Sequence, residues 1–152
     1  MVFVLSILGS FAAGTLGSLA TTPNIPTWYA ALNKPPLNPP NWVFGPVWSL
    51  LYLLMGIALA LIILKTTKLS KKNAYTWFGL QLVLNALWSV VFFGFHAPWV
   101  GVVVIALLIA AILMNIRAFY KIKPVAAWLL VPYLGWVCFA TYLTVSIAFL
   151  NS

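Results

Sequence analysis

Apolar residues in this chain come in long runs with little polar relief, and the polar residues gather in short clusters between them. Five runs stand out: Val2 to Ala20, Trp42 to Leu64, Ala74 to Phe95, Trp99 to Tyr120 and Val125 to Leu150. Each approaches or exceeds the roughly 20 residues that an α-helix needs to cross the hydrocarbon core of a bilayer. The pattern predicts an all-α integral membrane protein. Its expected architecture is a five-transmembrane-helix bundle forming one domain over residues 1–152, with a long proline-rich loop between helices 1 and 2.

That loop, Thr21 to Asn41, carries prolines at 23, 26, 35, 36, 39 and 40. Proline removes amide donors and fixes φ, so the segment is expected to be a stiff cap with little freedom. A connector of about 20 residues between helices is long, and long connectors are more often functional. In the first run, small residues recur at Gly9, Ala13 and Gly17 and at Ser6, Ser10, Gly14 and Ser18. Spacings of four place each set on one helix face, where a neighbouring helix can come close. Packing within the monomer is favoured over a dimer contact. Ser18-Leu19-Ala20 resembles a signal-peptide cleavage site, but no Lys or Arg precedes the run, so a retained helix is expected.

Composition sharpens the picture. The chain is 64% apolar, with eight Lys or Arg and no Asp or Glu, so it cannot build the charged skin of a soluble domain. A pI of about 9.9 would elsewhere suggest nucleic acid, but phosphate-binding surfaces interleave their basic residues on one face. Here they flank apolar runs, as a topology signal does. Lys65, Lys68, Lys71 and Lys72 follow the second run, and Arg117, Lys121 and Lys123 flank the last turn, against Lys34 alone in the other loops. This predicts an inside amino terminus, an outside carboxyl terminus and an outside proline loop; residence in a prokaryotic cell membrane is expected. Without side-chain carboxylates there is no acid/base pair, no Asp–His relay and no oxygen-rich cation site. Cys138 stands alone in an apolar run and is expected to be a packing residue, so no metal site is predicted. His96, in a short turn, is expected to be a solvated side chain.

Trp42, Trp77, Trp99 and Trp128 lie near run ends, where indoles suit the headgroup zone. Trp48, Trp88 and Trp136 lie deeper. Trp48 is about six residues below the outer end of its helix, Trp88 about seven and Asn85 about ten below theirs, at roughly 1.5 Å per residue. Trp136 lies about halfway through the fifth. All four are expected around one space under the proline loop. Gln81, Asn85, Trp88, Ser89 and Phe92 share one face of the third helix, which must point into the protein because a lipid-facing amide lacks partners. Interhelical hydrogen bonding and ligand contact both remain open for that face. Trp48, Tyr52, Met55 and Leu59 form a stripe on the second helix, and Trp136, Ala140, Thr144 and Ile147 one on the fifth. Ala140, one turn from Trp136, leaves room beside an indole face. Aromatic walls with an amide and no charge suit a large planar hydrophobe and suit an ion poorly.

Trp28-Tyr29, Leu32, Lys34-Pro35, Pro39-Pro40, Trp42-Val43-Phe44, Pro46-Val47-Trp48, Leu51-Tyr52 and Met55-Gly56 resemble the signature of the TspO/MBR family of tryptophan-rich sensory proteins. That family includes the mitochondrial translocator protein, or peripheral benzodiazepine receptor. Gln81, Asn85, Trp88-Ser89, Phe92-Phe93-Gly94, Pro132-Tyr133, Trp136 and Phe139-Ala140 extend the match along nearly the whole chain. The resemblance implies a five-helix bundle, commonly a homodimer in the lipid bilayer, that binds porphyrins (protoporphyrin or haem as ligand, with no required cofactor), benzodiazepine-type drugs and, in some members, cholesterol. By the same resemblance the ligand-binding residues are Tyr29, Pro39, Trp42, Trp48, Asn85, Ser89, Phe92, Trp136 and Ala140. Some bacterial members promote light-dependent porphyrin breakdown, which makes Trp48 and Trp136 the candidate catalytic residues; translocation of tetrapyrroles or lipids is a further alternative. Ala30 stands where many relatives carry an acidic residue, which removes one anchor of the lid, and Thr144 stands where many have Asn. No Leu/Val-x-Tyr-x-Lys/Arg motif occurs near the carboxyl end, which counts against cholesterol transport.

Overall fold

The computed structural model describes residues 1–152 and contains helices and turns without strands. The long helices are α1 (Val2–Thr21), α2 (Asn41–Leu64), α3 (Lys72–Ser89) and α4 (Pro98–Ile122), followed by a short α5 (Pro124–Leu129) and α6 (Val131–Leu150). Five spans are long and apolar enough to cross a membrane, with α5 and α6 together making the fifth. Pro98 and Pro124 open α4 and α5, where the missing N–H would have had no intrahelical acceptor anyway.

The fifth span is jointed, where the apolar run alone predicts one continuous helix. Pro132 cannot donate to a carbonyl one turn back and disfavours helical geometry at the residue before it. The chain responds with a tightened turn at Leu130, whose N–H bonds the Ala127 carbonyl at 3.0 Å. A second irregularity ends α3, where Val90–Gly94 form one wide turn closed by Phe95 N–H to the Val90 carbonyl at 3.0 Å. Widening the turn changes the angular step between residues. Val91, Phe92 and Phe93, consecutive in sequence, are all buried as a result.

The helices close into a ring in which α1 touches α2 and α3, α3 touches α4, and α4 touches α6. On the remaining side α2 meets the fifth span mainly through α5. That contact lies at the basic end of the bundle, so α2 and α6 stand further apart at the other end. The main core joins Met55, Phe78, Ile112, Phe119, Leu130 and Tyr133. Small residues set the closest helix approach. A Cβ on Gly56 would overlap the Ile7 backbone, and one on Gly14 would meet the Tyr52 ring. On α1, Ser6, Ser10 and Gly14 face the bundle, and so does Gly17 of the other small-residue stripe, where a Cβ would stand 3.2 Å from Ser89, while Gly9 has nothing within 4 Å. Cys138 is exposed on the outer face of α6, against the expectation that it packs inside.

Candidate functional site

The α1–α2 linker is tied down at several points. Tyr29 sits on a short 3-10 turn and is buried against Phe92, Phe93 and Ile147. Its hydroxyl donates to Asn38 Oδ1 at 2.8 Å, and the Lys34 ammonium lies 4.7 Å from its ring centre. Burial pushes the Tyr29 phenol above its ordinary value, and the Asn38 bond opposes that shift only in part. Midway along the linker, Asn33 and Asn151 form a reciprocal pair: Asn33 N–H donates to Asn151 Oδ1 and Asn151 Nδ2 donates to the Asn33 carbonyl, both at 2.9 Å. The linker is therefore held to the end of α6 despite having Ala30 rather than an acidic residue. Trp28 sets its edge against Phe92 and stacks on His96, 4.7 Å away and 6° from parallel. His96 Nε2 also lies 2.7 Å from Asn24 Oδ1. His96 is exposed, as expected, but it is part of this tie and not a freely solvated side chain.

Below the linker lie two spaces that share a wall. The larger, about 480 Å³, is bounded by α1 (Phe11, Gly14, Thr15, Ser18), α2 (Trp42, Phe44, Trp48, Tyr52), α3 (Trp88, Ser89) and Tyr29 of the linker. Thr15, Ser18, Gly45 and Ser49 at its edge are exposed, so it opens sideways between α1 and α2. The smaller is a narrow seam of about 20 Å³ between α2, α3 and α6, lined by Phe92, Trp136, Ala140, Leu143, Thr144 and Ile147. It has room for about one water molecule. Tyr29, Phe44, Trp48, Trp88 and Phe93 border both spaces. Phe44 and Trp136 close the seam edge to face, with ring centres 6.0 Å apart.

The residues expected to share one pocket thus divide. Tyr29, Trp42, Trp48 and Ser89 line the cavity, whereas Phe92, Trp136 and Ala140 line only the seam. Pro39 and Asn85 border neither. Asn85 is occupied elsewhere: Tyr52 Oη donates to Asn85 Oδ1 at 2.5 Å, and Asn85 Nδ2 donates to Tyr133 Oη at 2.9 Å. Tyr133 donates onward to Gln81 Oε1 at 2.7 Å. The shared face of α3 therefore serves both uses left open by the sequence, with its amides bonding between helices and Trp88, Ser89 and Phe92 forming wall. The network also supports the site from below. Trp48 stacks on Tyr52 at 5.8 Å and meets Tyr133 edge-on at 6.3 Å.

The contribution of α1 went unrecognised in the sequence. Its stripe of small residues reads as a packing face, and Ser6 and Ser10 do pack, but the same stripe becomes cavity wall at Gly14 and Ser18. The absence of side-chain bulk was the available signal, since a surface that admits a helix also admits a ligand. Two further groups have chemical capacity: the indole N–H groups of Trp88 and Trp136 are buried without an acceptor. No group of His, Cys, Asp or Glu is placed to hold a metal ion. The site offers aromatic faces, hydroxyls and indole donors, and no acid or base for proton transfer.

The chain is similar along its length to known proteins. It is 45% identical over 150 residues to the tryptophan-rich protein TspO of Archaeoglobus fulgidus, covering 98% of this chain and 96% of that one. It is 40% identical over 119 residues to the human translocator protein, covering 76% and 70% of the two chains. With the tryptophan-rich sensory protein of Cereibacter sphaeroides it shares 35% identity over 125 residues, 82% and 77% of the two chains. The model of the TspO/MBR family matches residues 6–150, and with the five-span bundle and the tryptophan-lined space beneath its linker, this multi-pass membrane protein belongs to that family.

Proposed function

We propose that this protein is a membrane receptor or sensor that holds porphyrin-type tetrapyrroles and similar planar hydrophobic molecules beneath the linker. The observation that carries this reading is the shared aromatic wall, with Trp48 and Trp88 bordering both a cavity of about 480 Å³ and a narrow seam of about 20 Å³. The cavity lies within the range of about 300–1,000 Å³ usual for small-molecule sites. A flat ligand entering sideways from the bilayer between α1 and α2 would lie against Trp48. By parting Phe44 from Trp136, it would then reach the seam. Acceptor atoms on its edge would satisfy the Trp88 and Trp136 indoles, which have no partner in the protein. The names of relatives, a sensory protein and a translocator, agree with a ligand-handling role.

Titration with protoporphyrin, followed by tryptophan quenching, tests the reading. Base–aromatic stacking is worth about 1–3 kcal/mol, so removing two indoles with Trp48→Ala and Trp136→Ala should weaken binding by at least about tenfold. Unchanged affinity in that double variant would remove the site assignment. A photochemical reading has one observation in its favour: Trp48 borders the cavity and also stacks on Tyr52, so an indole oxidised by an excited porphyrin has an aromatic neighbour. It fails if illuminated protein gives no product beyond that from free porphyrin beside an inert membrane protein.

A further inference from the structure

All but one of the eight Lys and Arg residues lie at the end of the bundle opposite the linker, and the chain has no side-chain carboxylate to pair with them. The fold draws these residues into a single rim. Ile62 at the end of α2, Ala74 and Phe78 at the start of α3, Phe119 and Ile122 at the end of α4, and Ala126 of α5 all belong to one buried cluster. Phe78 and Phe119 stack within it at 5.9 Å. The segments bearing the cations are therefore held side by side. Lys71 is the exception among them, since its ammonium donates to the Ile63 carbonyl at 2.9 Å and caps α2. Lys65, Lys68, Lys72, Arg117 and Lys121 are exposed and make no side-chain hydrogen bond within the protein. Just beside them Tyr75, Tyr120 and Trp128 are also exposed, at the level where aromatic side chains mark the boundary between headgroups and hydrocarbon.

We propose that this rim is a binding surface for anionic phospholipid headgroups. Topology alone needs an excess of Lys and Arg on one side. It does not require that every carboxylate be absent, and that absence leaves the rim's charge to be neutralised from outside the chain. At the depth fixed by the aromatic residues, the anions within reach are lipid phosphates. Arg117 can take a phosphate through two parallel N–H bonds, while the lysines act as point charges. Basic residues at a membrane surface each add to attraction for anionic lipid, and salt screens the effect.

Native mass spectrometry of the protein from mixed phosphatidylglycerol and phosphatidylcholine nanodiscs provides the test. The expected result is several-fold preferential retention of phosphatidylglycerol, falling towards parity in high salt. The combined variant Lys68→Gln, Lys72→Gln, Arg117→Gln, Lys121→Gln should lose the preference. Lys34→Gln, at the opposite end, should keep it, as should Arg117→Lys at reduced strength. Should the combined variant fail to fold, the salt titration of the unaltered protein and the single Arg117→Gln variant decide. Equal retention of the two lipids, or a preference that ignores salt and survives the substitutions, overturns the proposal; equal retention would leave an acidic protein segment as the rim's counterpart.

Discussion

Removing the Tyr133 hydroxyl is a sharp test of how the site is supported. In Tyr133→Phe the ring remains in the core, but two bonds go at once, Asn85 Nδ2 to Tyr133 at 2.9 Å and Tyr133 to Gln81 Oε1 at 2.7 Å. In Tyr52→Phe only the bond to Asn85 Oδ1 is lost. Two magnitudes compete. An orphaned buried polar group costs about 1–3 kcal/mol by the reckoning used for soluble proteins. Interhelical bonds in membranes average about 0.6 kcal/mol and reach about 1.7, because separated helices also find partners. The membrane figure governs here, since the unfolded helices stay in lipid. Tyr133→Phe should therefore cost about 1–3 kcal/mol and Tyr52→Phe about half as much. The double variant should exceed the sum of the two, because Asn85 then keeps neither of its partners at 3% exposure.

Equilibrium unfolding in mixed bicelles, with all four proteins in the same lipid, measures these differences. The consequence for ligand follows from the ring contacts. Trp48 rests on Tyr52 and Tyr133, so loosening Tyr133 should weaken tetrapyrrole binding about three- to tenfold, the equivalent of about 1 kcal/mol. If Tyr133→Phe proves no more costly than Tyr52→Phe, the network does not bear on stability as its geometry requires. If stability falls while affinity holds, the link from network to Trp48 is wrong.

Other outcomes follow from single contacts. Gly56→Ala should destabilise the bundle by about 1–3 kcal/mol in the same unfolding assay, because its Cβ would overlap the Ile7 backbone; Gly9→Ala, with open space around it, should be neutral or slightly stabilising. Asn151→Ala removes the two bonds at 2.9 Å to the Asn33 backbone and leaves only the longer Asn33 Nδ2 to Leu150 carbonyl bond at 3.5 Å, so amide exchange in the linker should rise about tenfold with the helices unchanged, for a combined loss of about 1–1.5 kcal/mol. Burial raises the Tyr29 phenol in the folded linker, so its contribution to linker closure is complete below the ordinary tyrosine value near 10. That contribution is lost as pH rises through the folded value. Tyrosinate absorbance should show late ionisation of Tyr29 coupled to faster linker exchange, and ionisation at the ordinary value would refute its burial.

How far the sequence could be read depended on whether a feature was local. The spans were legible because hydropathy acts over about 20 residues whatever the partners are; with the wide turn Val90–Gly94 counted with α3 and α5 joined to α6, their observed ends lie within two residues of the apolar runs. The joint at Leu130 was legible in principle, since Pro132 forbids a continuous hydrogen-bond ladder, but run length outweighs one proline in such a reading. Asn85 was harder. Its helix face was clear from spacing, yet whether an inward amide meets tyrosines or a ligand depends on how far Tyr52 and Tyr133 reach from two other helices. The same indeterminacy hid the division of the pocket. Trp48 and Trp136 do converge under the linker, but Phe44 packs against Trp136 and only about 20 Å³ of space is left among the three rings. The linker and α2 consequently do more than roof and bound a preformed hole. Asn33, Trp28 and Tyr29 fix the roof, and Phe44 packs on Trp136 where the two spaces adjoin, so a ligand passing from the outer cavity to Trp136 would first displace an aromatic contact worth about 0.5–1.5 kcal/mol. Phe44→Ala should remove that barrier. It should raise affinity for a ligand that fills both spaces and, because Phe44 also lines the outer cavity, modestly lower it for one confined there. A uniform loss for both ligands in parallel titrations would show that Phe44 is only wall.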